Sequence, residues 1–425
     1  MIRIQTIRIV TIVLLAAGLA LAFGGTAAAQ QGGGGEKRKG GAWARKHQVD
    51  KLTQKRFDKV ALLYSESKWD DADRILDRLR IRSLNSEEKR RYYAWRGYVA
   101  AGRLDMKSAR DNVILASQET ACTQEHLDMY YAQIAQFSLQ LSEWDVAIDY
   151  FNRWFKVAKE PDSPVTHYLL ALAYWQKNDY DAALVPAAKA VDLSTSPNEG
   201  WLQLLLAIHL TQKNYENAIP IYDQLIRNFP KKTYWIQLAT LHGALGNYED
   251  SLVPLQLAFT QGYLTEDAEI RRLAELLLFL ELPIRSVEVM QSGIDQGTGT
   301  LDSKYYELLS NGLIMSREYD QAVGPLTQAA ELSEGGSIYL RLAEVHIQRE
   351  RWEEASEALA KALEKGDLPN PGQAELLMGI SYYSRKLPAD AQRWFNKASK
   401  FPETKAEATI WRGHIERELQ ADAEA

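Results

Sequence analysis

Cysteine is almost absent, since Cys122 is the only one in 425 residues. A lone thiol forms no intrachain disulfide, so packing must hold the fold together. Thr120, Ala121 and Thr123 suit a loop or helix start, and no cluster of Lys, Arg and His lies beside Cys122 to activate it. Histidine is sparse as well. His47, His126, His167, His209, His242, His346 and His414 are scattered singly. None forms His-Glu-x-x-His or a paired Cys/His group, so neither a metal centre nor a cofactor is expected. No Gly-x-Ser-x-Gly elbow is present. Gly32 to Gly35 are followed by Glu36-Lys37-Arg38 rather than Gly-Lys-Ser/Thr, which argues against a phosphate loop. There is no long basic run, and the formal net charge is -6. Nucleic-acid binding is therefore not indicated, and the residue inventory points away from an enzyme.

The start of the chain has a different composition. Arg3 and Arg8 precede an uncharged run from Ile9 to Phe23, and Ala27-Ala28-Ala29 offers small residues for cleavage. This predicts an export signal over residues 1–29 and a mature chain beginning at Gln30 in the periplasm. An uncleaved inner-membrane anchor fits the same apolar run. Residues 30–50 form a glycine-rich linker in which Lys37, Arg38, Lys39, Arg45 and Lys46 cluster. They suit peripheral contact with an anionic membrane surface, or a soluble stem.

From Phe57 onward one pattern repeats. In Trp235 to Phe259 two apolar-periodic segments flank Gly246-Asn247, and the same grammar returns about every 35 residues. About ten helix pairs follow, with small residues at Ala72, Ala109, Ala147, Ala183, Ala218, Ser251, Ser286, Ala322, Ala355 and Ala391. A small side chain is needed where the second helix crosses closest to the first, and a large ring just before it fills the wedge at the turn. Pro186, Pro220 and Pro254 recur in register and are expected early in their second helices. His209, His242 and His346 take the aromatic place on first helices, which predicts packed, hydrogen-bonded histidines. Acid pairs such as Asp70-Asp71 and Glu353-Glu354 fall where a helix would start, which suits the positive end of its dipole. One hairpin is degenerate, with Pro283 in the ring place and Ser286 in the small one. The Gly293 to Thr300 segment after it is the best candidate for a long loop or hinge. The expected division is an N-terminal array over 51–300 and a C-terminal array with a capping helix over 301–425.

Trp235-x-x-Leu-Ala-x-x-His, then Gly-Asn-Tyr-x-x-Ser and Leu-x-x-Ala, resembles the tetratricopeptide repeat signature. The resemblance implies an all-α solenoid, a right-handed superhelix of about ten antiparallel helix pairs. The export signal, the basic linker and an array containing Asn214-Tyr-Glu-Asn-Ala-Ile-Pro220 and Tyr248-Glu-Asp-Ser-Leu-Val-Pro254 together resemble one group more closely. These are the periplasmic tetratricopeptide proteins associated with TonB systems of Gram-negative bacteria. That resemblance implies a scaffold assisting TonB, ExbB and ExbD in energised outer-membrane transport. A periplasmic scaffold for envelope assembly or secretion would share the array.

In resembling proteins the first helix of each hairpin lines a groove. The positions this implies are Phe57, Tyr64, Tyr98, Leu139, Tyr168, Leu172, Trp175, Ile236, Leu278, Phe279, Ile314, Met315, Ile347, Ile380 and Tyr383. Such side chains suit an extended peptide or a partner helix, although each also suits packing between hairpins. Trp175 and Tyr168 are the expected anchors, with Phe279 and Met315 making a second contact. Asn311 lacks the basic companions of a carboxylate clamp, so recognition of an acidic chain terminus is not expected.

Overall fold

A computed structural model describes residues 48–424, all-α apart from a short 3-10 turn at Ile81–Ser83. The expected signal and the linker up to residue 47 lie outside the described residues. The chain forms two compact units, one ending at Pro230 and the other beginning at Lys231.

The first unit holds five hairpins: α1 (Lys51–Ser65) with α2 (Trp69–Asp77), α3 (Ser86–Gly102) with α4 (Met106–Gln118), α5 (Gln124–Gln140) with α6 (Trp144–Val157), α7 (Pro164–Gln176) with α8 (Tyr180–Asp192), and α9 (Glu199–Thr211) with α10 (Tyr215–Asn228). The second unit holds five more: α11 (Lys232–Ala244) with α12 (Tyr248–Thr260), α13 (Asp267–Phe279) with α14 (Pro283–Asp295), α15 (Ser303–Met315) with α16 (Tyr319–Leu332), α17 (Ser337–Gln348) with α18 (Trp352–Lys365), and α19 (Pro371–Ser384) with α20 (Pro388–Ala398). The last helix, α21 (Lys405–Glu424), closes this unit. Within each unit, helices pack on their sequence neighbours.

The hairpins share one turn. Three residues separate the paired helices, and the middle one is left-handed in all ten, with φ between 53° and 79°. Only Gly246 among these is glycine; the others include Leu104, Asn178, Lys213 and Glu281. The amide after it donates to a carbonyl five residues back, as from Lys68 to Leu63 (2.8 Å) and from Leu282 to Leu277 (2.8 Å). This Schellman motif satisfies the carbonyls left free at the end of the first helix and starts the second helix at once.

The crossing behaves as the small-residue pattern predicts. All ten small residues are at most 3 % exposed. Where serine replaces alanine, its hydroxyl donates to a first-helix carbonyl, from Ser251 to Ala239 (2.8 Å) and from Ser286 to Ala274 (3.0 Å). A buried hydroxyl needs such a partner to be tolerated. Gly97 on α3 serves the same close approach, since a Cβ there would stand 2.6 Å from Val113 of α4. In α21, Trp411 stacks on Phe395 with ring centroids 5.6 Å apart, and Ala408 and Ile415 are fully buried beside it.

Two expectations change. Pro186, Pro220 and Pro254 lie in the middle of α8, α10 and α12, not early, because these helices begin at the ring residue itself. Each proline therefore removes a hydrogen bond from a formed helix. The glycine-rich segment after Met290 is neither long nor loose. Helix α14 continues through Gly293, and the connection from Gln296 to Asp302 is pinned. The Thr300 amide donates to Asp267 (2.9 Å), and Arg271 donates to the Thr300 carbonyl and to Asp302 (both 2.9 Å). Tyr305 is fully buried there, its hydroxyl donating to the Met290 carbonyl (2.5 Å). A Cβ at Gly299 would stand 2.7 Å from the Tyr305 ring, so close packing on a tyrosine is what glycine supplies. The division expected at residue 300 and the boundary after Pro230 do not coincide.

Candidate protein-binding surfaces

In the first unit the expected groove residues part company. Phe57 is 2 % exposed, in a cluster with Val60, Ala72 and Leu76. Leu139 and Tyr168 are also buried, the latter with its ring 5.8 Å from Trp201 and its hydroxyl pushed up to about 12 by burial. These three are packing residues, because no partner reaches them without opening the hairpins. Their register is right for a groove, but neighbouring helices cover them.

Tyr64 and Tyr98 are half-buried in an aromatic cluster. Tyr64 meets Trp69 at 4.9 Å and Trp95 at 5.7 Å edge-on, and Trp95 meets Tyr98 at 5.7 Å. Burial raises both tyrosine hydroxyls above their ordinary range. The Tyr98 hydroxyl reaches the sulfur of Met129, an exposed side chain on α5. Trp95 and Met129 were missed by sequence reasoning, because neither falls at the positions counted from the small or glycine place. Leu172 and Trp175 are half-buried on α7, with the Trp175 ring 4.9 Å from Tyr180 across the turn.

In the second unit Ile236, Leu278, Ile314, Ile347 and Ile380 are half-buried. Ile236 and Ile314 pack on one core cluster, and Ile380 on the cluster around Phe395. Tyr383 is already engaged by α21, its ring 5.3 Å from Trp411 and its hydroxyl bonded to Glu418 (2.9 Å) and His414 (3.0 Å). The hydrogen bond to Glu418 raises its pKa. Tyr383 therefore serves the cap rather than an open groove. Polar bridges also join consecutive first helices: Arg272 donates to Thr240 (3.0 Å), and Arg341 pairs with Glu307 (3.0 Å) and also donates to Asn311. The most open positions are Phe279 and Met315, 64 % and 49 % exposed, at matching places near the ends of α13 and α15.

The reactive residues are quiet. Burial pushes the Cys122 thiol up to about 11, which leaves little thiolate at neutral pH. His167, His209 and His346 are buried, and burial lowers their pKa values. The expected hydrogen bonds are not made at Nδ1 of His209, His242 and His346, where apolar packing leaves that nitrogen buried with no hydrogen-bond partner among the described residues. Among the described residues, no three His, Cys, Asp or Glu side chains are placed to hold a metal ion. In the same residues no helix is long and apolar enough to cross a membrane. A cleft of about 150 Å³ lined by Val191, Pro197, Trp201 and Gln224 is well below the usual size of a ligand pocket.

Family models described as tetratricopeptide repeat match residues 135–197, 316–403 and 200–232. No curated protein sequence matches the chain. Among solved structures, a MamA protein is 19% identical, covering 41% of this chain and 94% of its own, with a TM-score of 0.36. A tetratricopeptide repeat protein from Parabacteroides merdae is 13% identical, covering 69% of this chain and 99% of its own, with a TM-score of 0.34. A MamA fragment from Desulfovibrio magneticus is 14% identical, covering 56% and 94%, with a TM-score of 0.23. The three matched stretches and the paired antiparallel helices identify the chain as an all-α tetratricopeptide-repeat solenoid, a scaffold for protein–protein interaction.

Proposed function

We propose that the scaffold is non-catalytic, is exported to the periplasm, and assists the TonB–ExbB–ExbD system in energised outer-membrane transport. The observation that carries the interaction reading is the set of partly open aromatic side chains on a repeat array, with Trp175 and Phe279 foremost. The cellular setting is supported by sequence alone. Arg3, Arg8, the Ile9–Phe23 run and Ala27-Ala28-Ala29 support export, and the repeat motifs ending at Pro220 and Pro254 support the TonB assignment by resemblance.

Large aromatic anchors commonly dominate binding, so Trp175→Ala should cost about 2 kcal/mol of partner affinity without changing the helical circular dichroism spectrum. The test is crosslinking and co-purification with TonB, ExbB and ExbD from envelope fractions, comparing wild type with the Trp175→Ala and Phe279→Ala chains. N-terminal sequencing of the purified protein accompanies it, and a start at Gln30 is expected. Capture of envelope-assembly or secretion proteins, and none of those three, would overturn the TonB assignment. Recovery of the chain in the cytoplasm would overturn the periplasmic setting.

A further inference from the structure

The turn between α13 and α14 is unlike the others in its chemistry. Most hairpins place polar residues here, such as Asn178-Asp179, Lys213-Asn214 and Arg317-Glu318. This one runs Phe279-Leu-Glu-Leu-Pro-Ile284, and its Phe279, Leu282 and Ile284 are all exposed. Tyr248, at the start of α12, is exposed too and lies edge-on to Phe279 with centroids 4.8 Å apart. Met315 continues the surface on α15, which packs directly on α13. Exposed apolar side chains normally occur singly, so a contiguous group of this kind marks a contact surface.

The charges around it single out an occupant. Glu275 lies one helical turn before Phe279 and so shares its face, Glu281 is in the turn itself, and Glu249 follows Tyr248. All three carboxylates are exposed, and none has an ion-pair partner among the described residues. Some acids of this unit are neutralised, Glu269 by Lys232, Asp267 and Asp302 by Arg271, and Asp320 by Arg349 and Arg351, whereas these three stand unpaired beside an exposed apolar group. One cation, Arg285, lies next to Ile284 and keeps its charge while donating to the neutral amide oxygen of Gln256 (3.1 Å), so the three carboxylates outnumber it. Arg317, just past Met315, marks the end of the acidic stretch.

We infer that this apolar turn and its unpaired carboxylates dock a cationic segment of a protein partner. In that segment an aromatic or aliphatic anchor packs on Phe279, and flanking Lys or Arg residues face Glu249, Glu275 and Glu281. The inference rests on the scaffold reading and gives the partner's chemistry at one surface. An anionic lipid surface is disfavoured, because the same carboxylates would repel it. The irregular sequence of this hairpin then has a cause, since the positions that break the repeat pattern are those that display the anchor site.

The test uses the full chain and two short fluorescein-labelled helical peptides. Each carries Trp and Leu one turn apart, in a lysine-rich or a glutamate-rich background, and anisotropy reads binding. Wild type should prefer the lysine peptide by about tenfold or more, and the preference should shrink as salt is raised. Phe279→Ser should weaken binding by about tenfold. The Glu275→Lys/Glu281→Lys chain should reverse the preference, and its fold should hold because both sites are exposed and lysine already occupies the left-handed turn position at Lys213 and Lys386. Equal affinity for both peptides, no binding of the lysine peptide, or binding unchanged by Phe279→Ser would overturn the inference. Self-association abolished by Phe279→Ser would also overturn it, by assigning the surface to a second copy. If the Phe279→Ser chain still captures its envelope partners while wild type ignores the lysine peptide, the scaffold reading stands and this inference alone fails.

Discussion

Replacing Leu104 by glycine should stabilise the protein, although it removes a large apolar side chain. Leu104 holds φ at 65° in the turn between α3 and α4, with the Asp105 amide bonded to the Ala100 carbonyl (2.9 Å). A left-handed L-residue is strained by roughly 1–2 kcal/mol, because its Cβ crowds the following carbonyl. Glycine carries no such strain but loses about 0.5–1 kcal/mol more backbone entropy on folding. The side chain is 73 % exposed, so little buried area is lost. The balance is a gain of about 0.5–1 kcal/mol, or a shift of about 1–4 °C for a cooperative unit of this size. Urea and thermal unfolding of the full chain, followed by circular dichroism at the helical minimum, would read it. Two controls isolate the cause. Leu104→Ala keeps the strained Cβ and should change little. Leu115→Gly, at an exposed leucine inside α4, should cost about 1 kcal/mol. If Leu104→Gly destabilises as much as Leu115→Gly, the turn stores no such strain and the account of these hairpins fails.

Two further predictions concern the core. Ala218 is fully buried at the crossing of α9 and α10, so Ala218→Leu should overpack it and cost about 1–3 kcal/mol in urea unfolding; an unchanged midpoint would contradict the crossing. Burial lowers the pKa values of His167, His209 and His346, so the stability present above their unfolded value of about 6.5 should be lost as pH falls from there through their folded values. His209→Leu should flatten part of that loss, and an identical pH dependence in wild type and variant would refute the role given to burial.

The hairpins and their register were legible in sequence because each is specified locally and then repeated. The small residue from Ala72 to Ala391 and the ring before it report the crossing wherever they occur, and ten copies in register average out single departures such as Ser251 or Pro283. The turn chemistry was less legible. Gly246 announces a left-handed residue, but Leu104 and Lys213 take the same conformation with no such sign, because the Schellman bonds and the packed helices on either side impose it. The glycines at 293 and 299 suggested looseness, yet they make room for the ring of Tyr305, which lies outside their own segment. The candidate surface depended most on tertiary structure. Phe57 and Tyr168 share one place on their helices and Leu139 lies two turns further along the same face, all three buried, whereas Phe279, the last residue of α13, falls one residue past the place of Leu139 and is 64 % exposed. The difference lies in what neighbouring helices place over each position: Trp201 over Tyr168, but only the edge of Tyr248 beside Phe279. Periodicity sets which way a side chain points along its own helix, whereas its exposure is set by the size and placement of residues a repeat away.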